Sequence, residues 1–277
     1  MPVLLVIPAI AGCGSGSSAG VQAPAVGAAK TFQLAGFQPA ATIHPGKPTT
    51  VSFVIRQPNG QPLTQYKRGT GPHTGIHLII VRSDLSAIIH KHPPVSADGR
   101  ISQSVTFPGP GRYRVIVDAY PNLAGTQPNF QLFRWITVPG AYKPQKLGGF
   151  HSTVTTGGYK FQIAHLPKLK ALEPGFINIK VTTPSGAKAV FQPWYGALAH
   201  AIFFRAGSLD YFHPHVCGAG APNCTSAIGG SRISGTSTTP GNLRVGVLVP
   251  MPGTWRLFVQ TQSGGKVLTA PFTLKVS

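Results

Sequence analysis

The chain has 277 residues, of which 42% are hydrophobic, 34 are glycine and 27 are proline. That length allows two domains with buried cores, and the apolar fraction excludes a disordered chain. Twenty-four Lys and Arg against five acidic residues give a formal net charge of +19, which leaves few carboxylates for acid–base catalysis and favours anionic neighbours.

At the start of the chain, the apolar run from Leu4 to Ile10 ends in Ala11-Gly12-Cys13. Ile10-Ala11-Gly12-Cys13 resembles the lipobox of bacterial lipoprotein signal peptides. The resemblance implies a signal-peptide remnant over 1–12, lipid on Cys13 and an extracytoplasmic protein anchored to the bacterial cell membrane. No Lys or Arg precedes the run, so the expectation is that the native chain starts further upstream. Residues Gly14 to Ala29 are rich in Gly, Ser and Ala and read as a flexible tether, with 13–36 forming the lipidated cysteine and its linker.

From there the chain reads as all-β. Short apolar runs end in turn signals such as Pro58-Asn59-Gly60, Pro108-Gly109-Pro110-Gly111 and Pro252-Gly253, and no long helical periodicity interrupts them. The pattern occurs twice. His44-Pro45-Gly46 and Glu173-Pro174-Gly175 each open an alternating strand, and Gly111-Arg112-Tyr113-Arg114 parallels Gly253-Thr254-Trp255-Arg256. The reading is two tandem immunoglobulin-like β-sandwich domains from an internal duplication, over 37–140 and 151–277, with a linker at 141–150. There is no Cys-Trp-Cys signature, so antibody topology is not implied.

The histidines repeat as well. His77 is followed after twelve residues by His90-Lys91-His92, and His200 after twelve residues by His213-Pro214-His215. Turns centred on Asp84-Leu85 and Gly207-Ser208 would place His77 opposite His92 and His200 opposite His215. His90 and His213 would lie two residues along on the same faces. Three imidazoles on one face of a hairpin suit Zn(II) or Cu(II), which predicts one ion per hairpin. The other reading is a structural histidine network.

Further donors differ between the copies. Asp118 is a candidate fourth ligand in the first repeat, where the second carries Gln260. His73 has no histidine counterpart, and His44, His151 and His165 fit no ligand spacing. Cys217 and Cys224 flank an insert unique to the second repeat, and in an exported protein they are expected to form a disulfide; the alternative is a thiolate ligand. Tandem sandwiches with this histidine spacing resemble exported bacterial proteins with YtkA-like or copper-resistance-type domains. That resemblance implies extracytoplasmic metal handling, although Met251 is the only methionine beyond Met1 and a Met-rich Cu(I) site is therefore absent. The leading functional reading is a membrane-anchored binding protein for Zn or Cu. The alternative is an envelope protein on anionic cell-surface polymer or lipid. A third is a hydrolase using zinc on three histidines, disfavoured because no carboxylate is evidently placed as a base. The basic residues are scattered and carry no signature of specific nucleic-acid binding.

Overall fold

A computed structural model of the chain describes residues 31–39, 42–67, 75–125, 128–213, 215–218 and 239–277, with 215–218 described as backbone alone. Among the described residues the first repeat contributes Gln33–Gln38 (β1), Pro48–Arg56 (β2), Ile76–Arg82 (β3), Ile88–Lys91 (β4), Arg100–Thr106 (β5), Gly111–Ala119 (β6) and Phe130–Val138 (β7). They form two antiparallel sheets, β1-β2-β5 and β4-β3-β6-β7. Val51, Phe53 and Ile55 alternate along β2 and point into a shared core with Leu78, Ile80, Val115 and Val117 from the facing sheet. This distribution of consecutive strands between two facing sheets is the immunoglobulin-like sandwich.

The second repeat contributes Thr153–Thr156 (β8), Tyr159–Gln162 (β9), Gly175–Thr182 (β10), Phe191–Gln192 (β11), Ala199–Arg205 (β12), Tyr211–Phe212 (β13), His215–Gly218 (β14), Asn242–Val247 (β15), Gly253–Ser263 (β16) and Lys266–Val276 (β17). One layer is β8-β9-β10-β15. The other is built on β12, β16 and β17, with β13 and β14 at the edge of β12. Ile177, Ile179 and Val181 of β10 face Ala199, Ala201 and Phe203 of β12 across this core. The chain is thus all-β and made of two tandem sandwiches.

The copies differ where β14 pairs with both β12 and β15, making the second repeat's sheets continuous. The first repeat has His92-Pro93-Pro94-Val95 in place of His215-Val216-Cys217-Gly218 and makes only a bridge, Val95 to Ile101. Two prolines remove the N–H groups that such a strand would donate.

One face of each sandwich is covered by the other repeat. Strands β3 and β12 are buried on both sides, which is why they read as near-continuous apolar runs rather than alternating ones. Ile79, Val81, Ile116 and Leu85 pack against Ile202, Phe204, Phe258 and Leu209 in a third apolar cluster. Ile79 and Ile202 each lie two residues after the first histidine of their copy, and Ile116 and Phe258 each sit two before Asp118 and Gln260. The interface therefore has the pseudo-twofold character of a duplicated chain folded on itself. Burying each such side chain contributes roughly 1.5–3 kcal/mol.

The repeated arginine and the repeated Pro-Gly turn explain each other. Gly111 and Gly253 have φ of +132° and +133°, and a Cβ would come within 3.2 Å of Arg82 Cδ in one copy and 3.1 Å of Arg205 Nε in the other. The missing side chain makes room for the arginine, whose Nε donates to Pro252 O in the second repeat and to Asp84 Oδ1 in the first.

Candidate metal centre

The strand registers place the histidines. The β3–β4 ladder pairs Leu78 with Lys91 and Ile79 with His90, a register that sets His92 across from His77. A bond from Arg82 N to Ala87 O closes the four-residue loop at 83–86. In the second copy His200 pairs with His215 directly, and Arg205 N donates to Asp210 O. Alternation then puts His77 on the face of β3 that carries Ile79 and Val81, and His200 on the face of β12 that carries Ile202 and Phe204. Those are the faces that meet.

The sites expected one per hairpin are accordingly a single cluster spanning the interface. His77 and His200 are fully buried, His90 nearly so, and His92 and His213 are half-buried. His77 Nδ1 lies 3.2 Å from His213 Nδ1, His90 Nε2 lies 3.1 Å from His92 Nε2, and His200 Nδ1 lies 3.3 Å from His213 Nε2. Two groups have donor atoms within 4.8 Å of one another: His77, His90 and His213, and His90, His92 and His200. Each draws on both repeats, and His90 belongs to both. His215 begins β14, but its side chain lies outside the described residues, as does that of Cys217. Cys13, His73 and Cys224 lie outside them entirely.

Hydrogen bonds on the outside of the cluster set the tautomers of the two most buried rings. His200 Nε2 donates to the Trp194 carbonyl at 2.9 Å, leaving its Nδ1 lone pair turned to His213. His90 Nδ1 lies 3.2 Å from Gln260 Oε1, and Gln260 Nε2 donates to Thr269 Oγ1, which orients the amide with its oxygen toward the ring. His90 Nε2 is then the lone pair left for the cluster. Burial, then repulsion from His200, His92 and His77, pushes His90 well below the usual histidine range against the opposing bond to Gln260. Burial likewise lowers His200 to about 4, with the Trp194 carbonyl working the other way. Both rings are neutral at pH 7, the form that offers a lone pair to an ion.

Aromatic rings wall the cluster. Tyr195 stacks on His92 at 4.0 Å between ring centroids, and His92 stacks on His77 at 4.2 Å. Trp194 stands edge-on to His90 and His200. Neither aromatic follows from the repeat comparison; the Pro193-Trp194-Tyr195-Gly196 turn ahead of β12 is their only local signal.

Asp118 sits across from His77 in the β3–β6 register. Its carboxylate belongs to neither donor group. It accepts from Asn129 Nδ2 at 3.3 Å, Tyr211 Oη at 3.3 Å and Tyr120 Oη at 3.5 Å, and burial raises it to about 6 against those bonds. Gln260, its counterpart in the second repeat, reaches across the interface to His90.

No curated protein matches the sequence. A Salmonella alpha-2-macroglobulin mutant aligns with 90% of this chain at 13% identity and a TM-score of 0.25, and the chain spans only 15% of its length. Invasin, a bacterial integrin-binding protein, aligns with 87% of the chain at 14% identity and a TM-score of 0.22, with 38% of invasin covered. Fibronectin(III)-like modules of Clostridium thermocellum CbhA align with 89% of the chain at 10% identity and a TM-score of 0.21, with 93% of that chain covered. A family model matches residues 30–132 and 153–277, one segment for each sandwich, and it is not that of the YtkA-like or copper-resistance-type proteins that the histidine spacing resembles. On that match, the chain belongs to the family described as Domain of unknown function (DUF8832).

Proposed function

We propose that this protein is an extracytoplasmic, membrane-anchored binding protein that holds one divalent transition metal, Zn or Cu, between its two sandwiches. The observation that carries this reading is the convergence of imidazole nitrogens from both repeats into two donor groups that share His90, each with its donor atoms within 4.8 Å of one another. Two nitrogens on a tetrahedral ion with bonds of about 2.0–2.1 Å lie about 3.3 Å apart, close to the spacing of His77 Nδ1 and His213 Nδ1 in one donor group and of His90 Nε2 and His92 Nε2 in the other. Outer carbonyl partners that fix ligand tautomers are the usual companions of metal-binding histidines. A set of nitrogen donors alone suits Zn or Cu and not Ca or Mg.

The stoichiometry follows from His90. His90 belongs to both donor groups, and with its Nδ1 committed to Gln260 it has one nitrogen left to offer an ion, so the groups are alternatives around one ion. Asp118, buried across the ladder from His77, supplies negative charge that offsets the unfavourable field of a +19 chain.

The same distances also fit hydrogen bonds between neutral imidazoles, which favours a structural histidine network as the second reading. Titrating chelator-treated protein with Zn(II) and Cu(II), wild type beside His90→Ala, separates the two. Tight binding lost in the variant supports the centre; equal, weak uptake by both supports the network. Lipid on Cys13 and a Cys217–Cys224 disulfide complete the proposal. Mass spectrometry of native protein tests both, and an unmodified Cys13 with two free thiols contradicts them.

A further inference from the structure

The outer face of the first repeat's β7 carries two aromatic side chains that belong to neither the core nor the interface cluster. Phe133 and Trp135 alternate on that face and are 41% and 44% exposed. Among the described residues, they are the only large exposed hydrophobics that neighbour each other on one strand face. The Arg114 guanidinium lies over the Phe133 ring at 4.2 Å, and that of Arg112 lies over Trp135 at 4.0 Å. Arg134, between them in sequence, points to the opposite face of the strand, the one that carries Ile136 and Val138. In the second repeat the positions paired with Phe258 and Arg256 hold Pro271 and Thr273 in place of Phe133 and Trp135. The patch is therefore no residue of the duplication, and β7 lies at the edge of its sheet, next to the strands that the second sandwich covers.

We infer that this patch docks on an anionic lipid bilayer, with Phe133 and Trp135 entering the headgroup–acyl boundary and Arg112 binding lipid phosphate, while Arg114 is held from the side by the Ser208 and Leu209 carbonyls of the second repeat. Charge complementarity points there. The chain has five acidic residues, of which Asp84, Glu173 and Asp210 are ion-paired within the chain and Asp118 is buried. The excess of positive charge at the surface is thus scarcely offset. The aromatics select a bilayer over a hydrophilic polyanion, because only a bilayer offers an apolar layer beneath its phosphates. Arginine suits that boundary, since its planar, weakly hydrated cation binds phosphate bidentately while its stem stays apolar. The metal centre plays no part in this surface, and the proposed acyl anchor is a separate attachment.

The test uses the full chain as Cys13→Ser, which carries no lipid, so that failure of the patch and failure of the anchor are distinct results. Vesicles of phosphatidylcholine alone are compared with vesicles that also contain phosphatidylglycerol, by co-sedimentation and tryptophan emission. The expected result is salt-sensitive binding to the anionic vesicles only, with a blue shift lost in Trp135→Ser. Arg112→Gln should weaken partitioning about fivefold, and Phe133→Ser with Trp135→Ser about tenfold or more. Equal melting temperatures show that the exposed substitutions leave the fold intact. Failure to bind, equal binding to both vesicle types, or full binding by the double variant overturns the proposal. Patch-dependent binding to soluble dextran sulfate without vesicle binding also overturns it, in favour of a polymer ligand.

Discussion

At the scale of single residues, His90 and Gln260 decide the chemistry of the cluster. Gln260 touches no proposed ion; it holds His90 in one tautomer and orientation from the opposite repeat. Gln260→Leu keeps the volume and removes that acceptor, so metal affinity should fall about 10–100-fold while the fold persists. A competition titration against a chromophoric chelator, with circular dichroism alongside, measures both. Protonation supplies a second prediction. His200 is held down to about 4 in the folded chain against about 6.5 when unfolded. The unfolded state therefore binds the proton first, and stability is complete above about pH 6.5 and declines as the pH falls toward 4. A shift of that size corresponds to about 3 kcal/mol from His200, and His90 acts in the same direction. Urea unfolding at neutral and acid pH should show this loss, and His200→Gln should flatten the slope. Much of this was legible beforehand, because equal histidine spacing and symmetric turns set the registers. The roles of Trp194, Tyr195 and Gln260 were not, because they depend on how the two repeats meet.

At the scale of elements, β3 and β12 carry the interface. An expectation of one ion per hairpin treats each histidine face as open to solvent, whereas both are buried against each other. A signal for this was present in the sequence. Ile76-His77-Leu78-Ile79-Ile80-Val81 and Ala199-His200-Ala201-Ile202-Phe203-Phe204 do not alternate polar with apolar, and a strand apolar on both sides needs cover on both. Phe258 of β16 lies in the interface cluster rather than in its own sandwich core. Phe258→Ala should cost about 3–5 kcal/mol in denaturant unfolding. It should also weaken metal binding, since the donor groups span the contact it supports. If stability falls while metal affinity is unchanged, the centre does not depend on docking of the repeats.

At the scale of the whole molecule, the proposed ion shared between the sandwiches would act as a staple, because among the described residues neither repeat contains a complete donor group by itself. A ligand that binds only the docked state stabilises it by about 2.7 kcal/mol at a hundredfold excess over its Kd. Added Zn(II) should therefore raise the melting temperature of the whole chain in one transition, and Mg(II) should not. The duplication was readable from turns, strands and histidines, but the way the copies pack was not, since sequence repeats carry no symmetry operator. The central claim is that both repeats build one centre, and the stoichiometry of metal binding by wild type and His90→Ala tests it most directly. One tightly bound Zn(II) or Cu(II) per chain, lost in the variant, is the predicted result; two ions per chain, or uptake indifferent to the loss of His90, would contradict it.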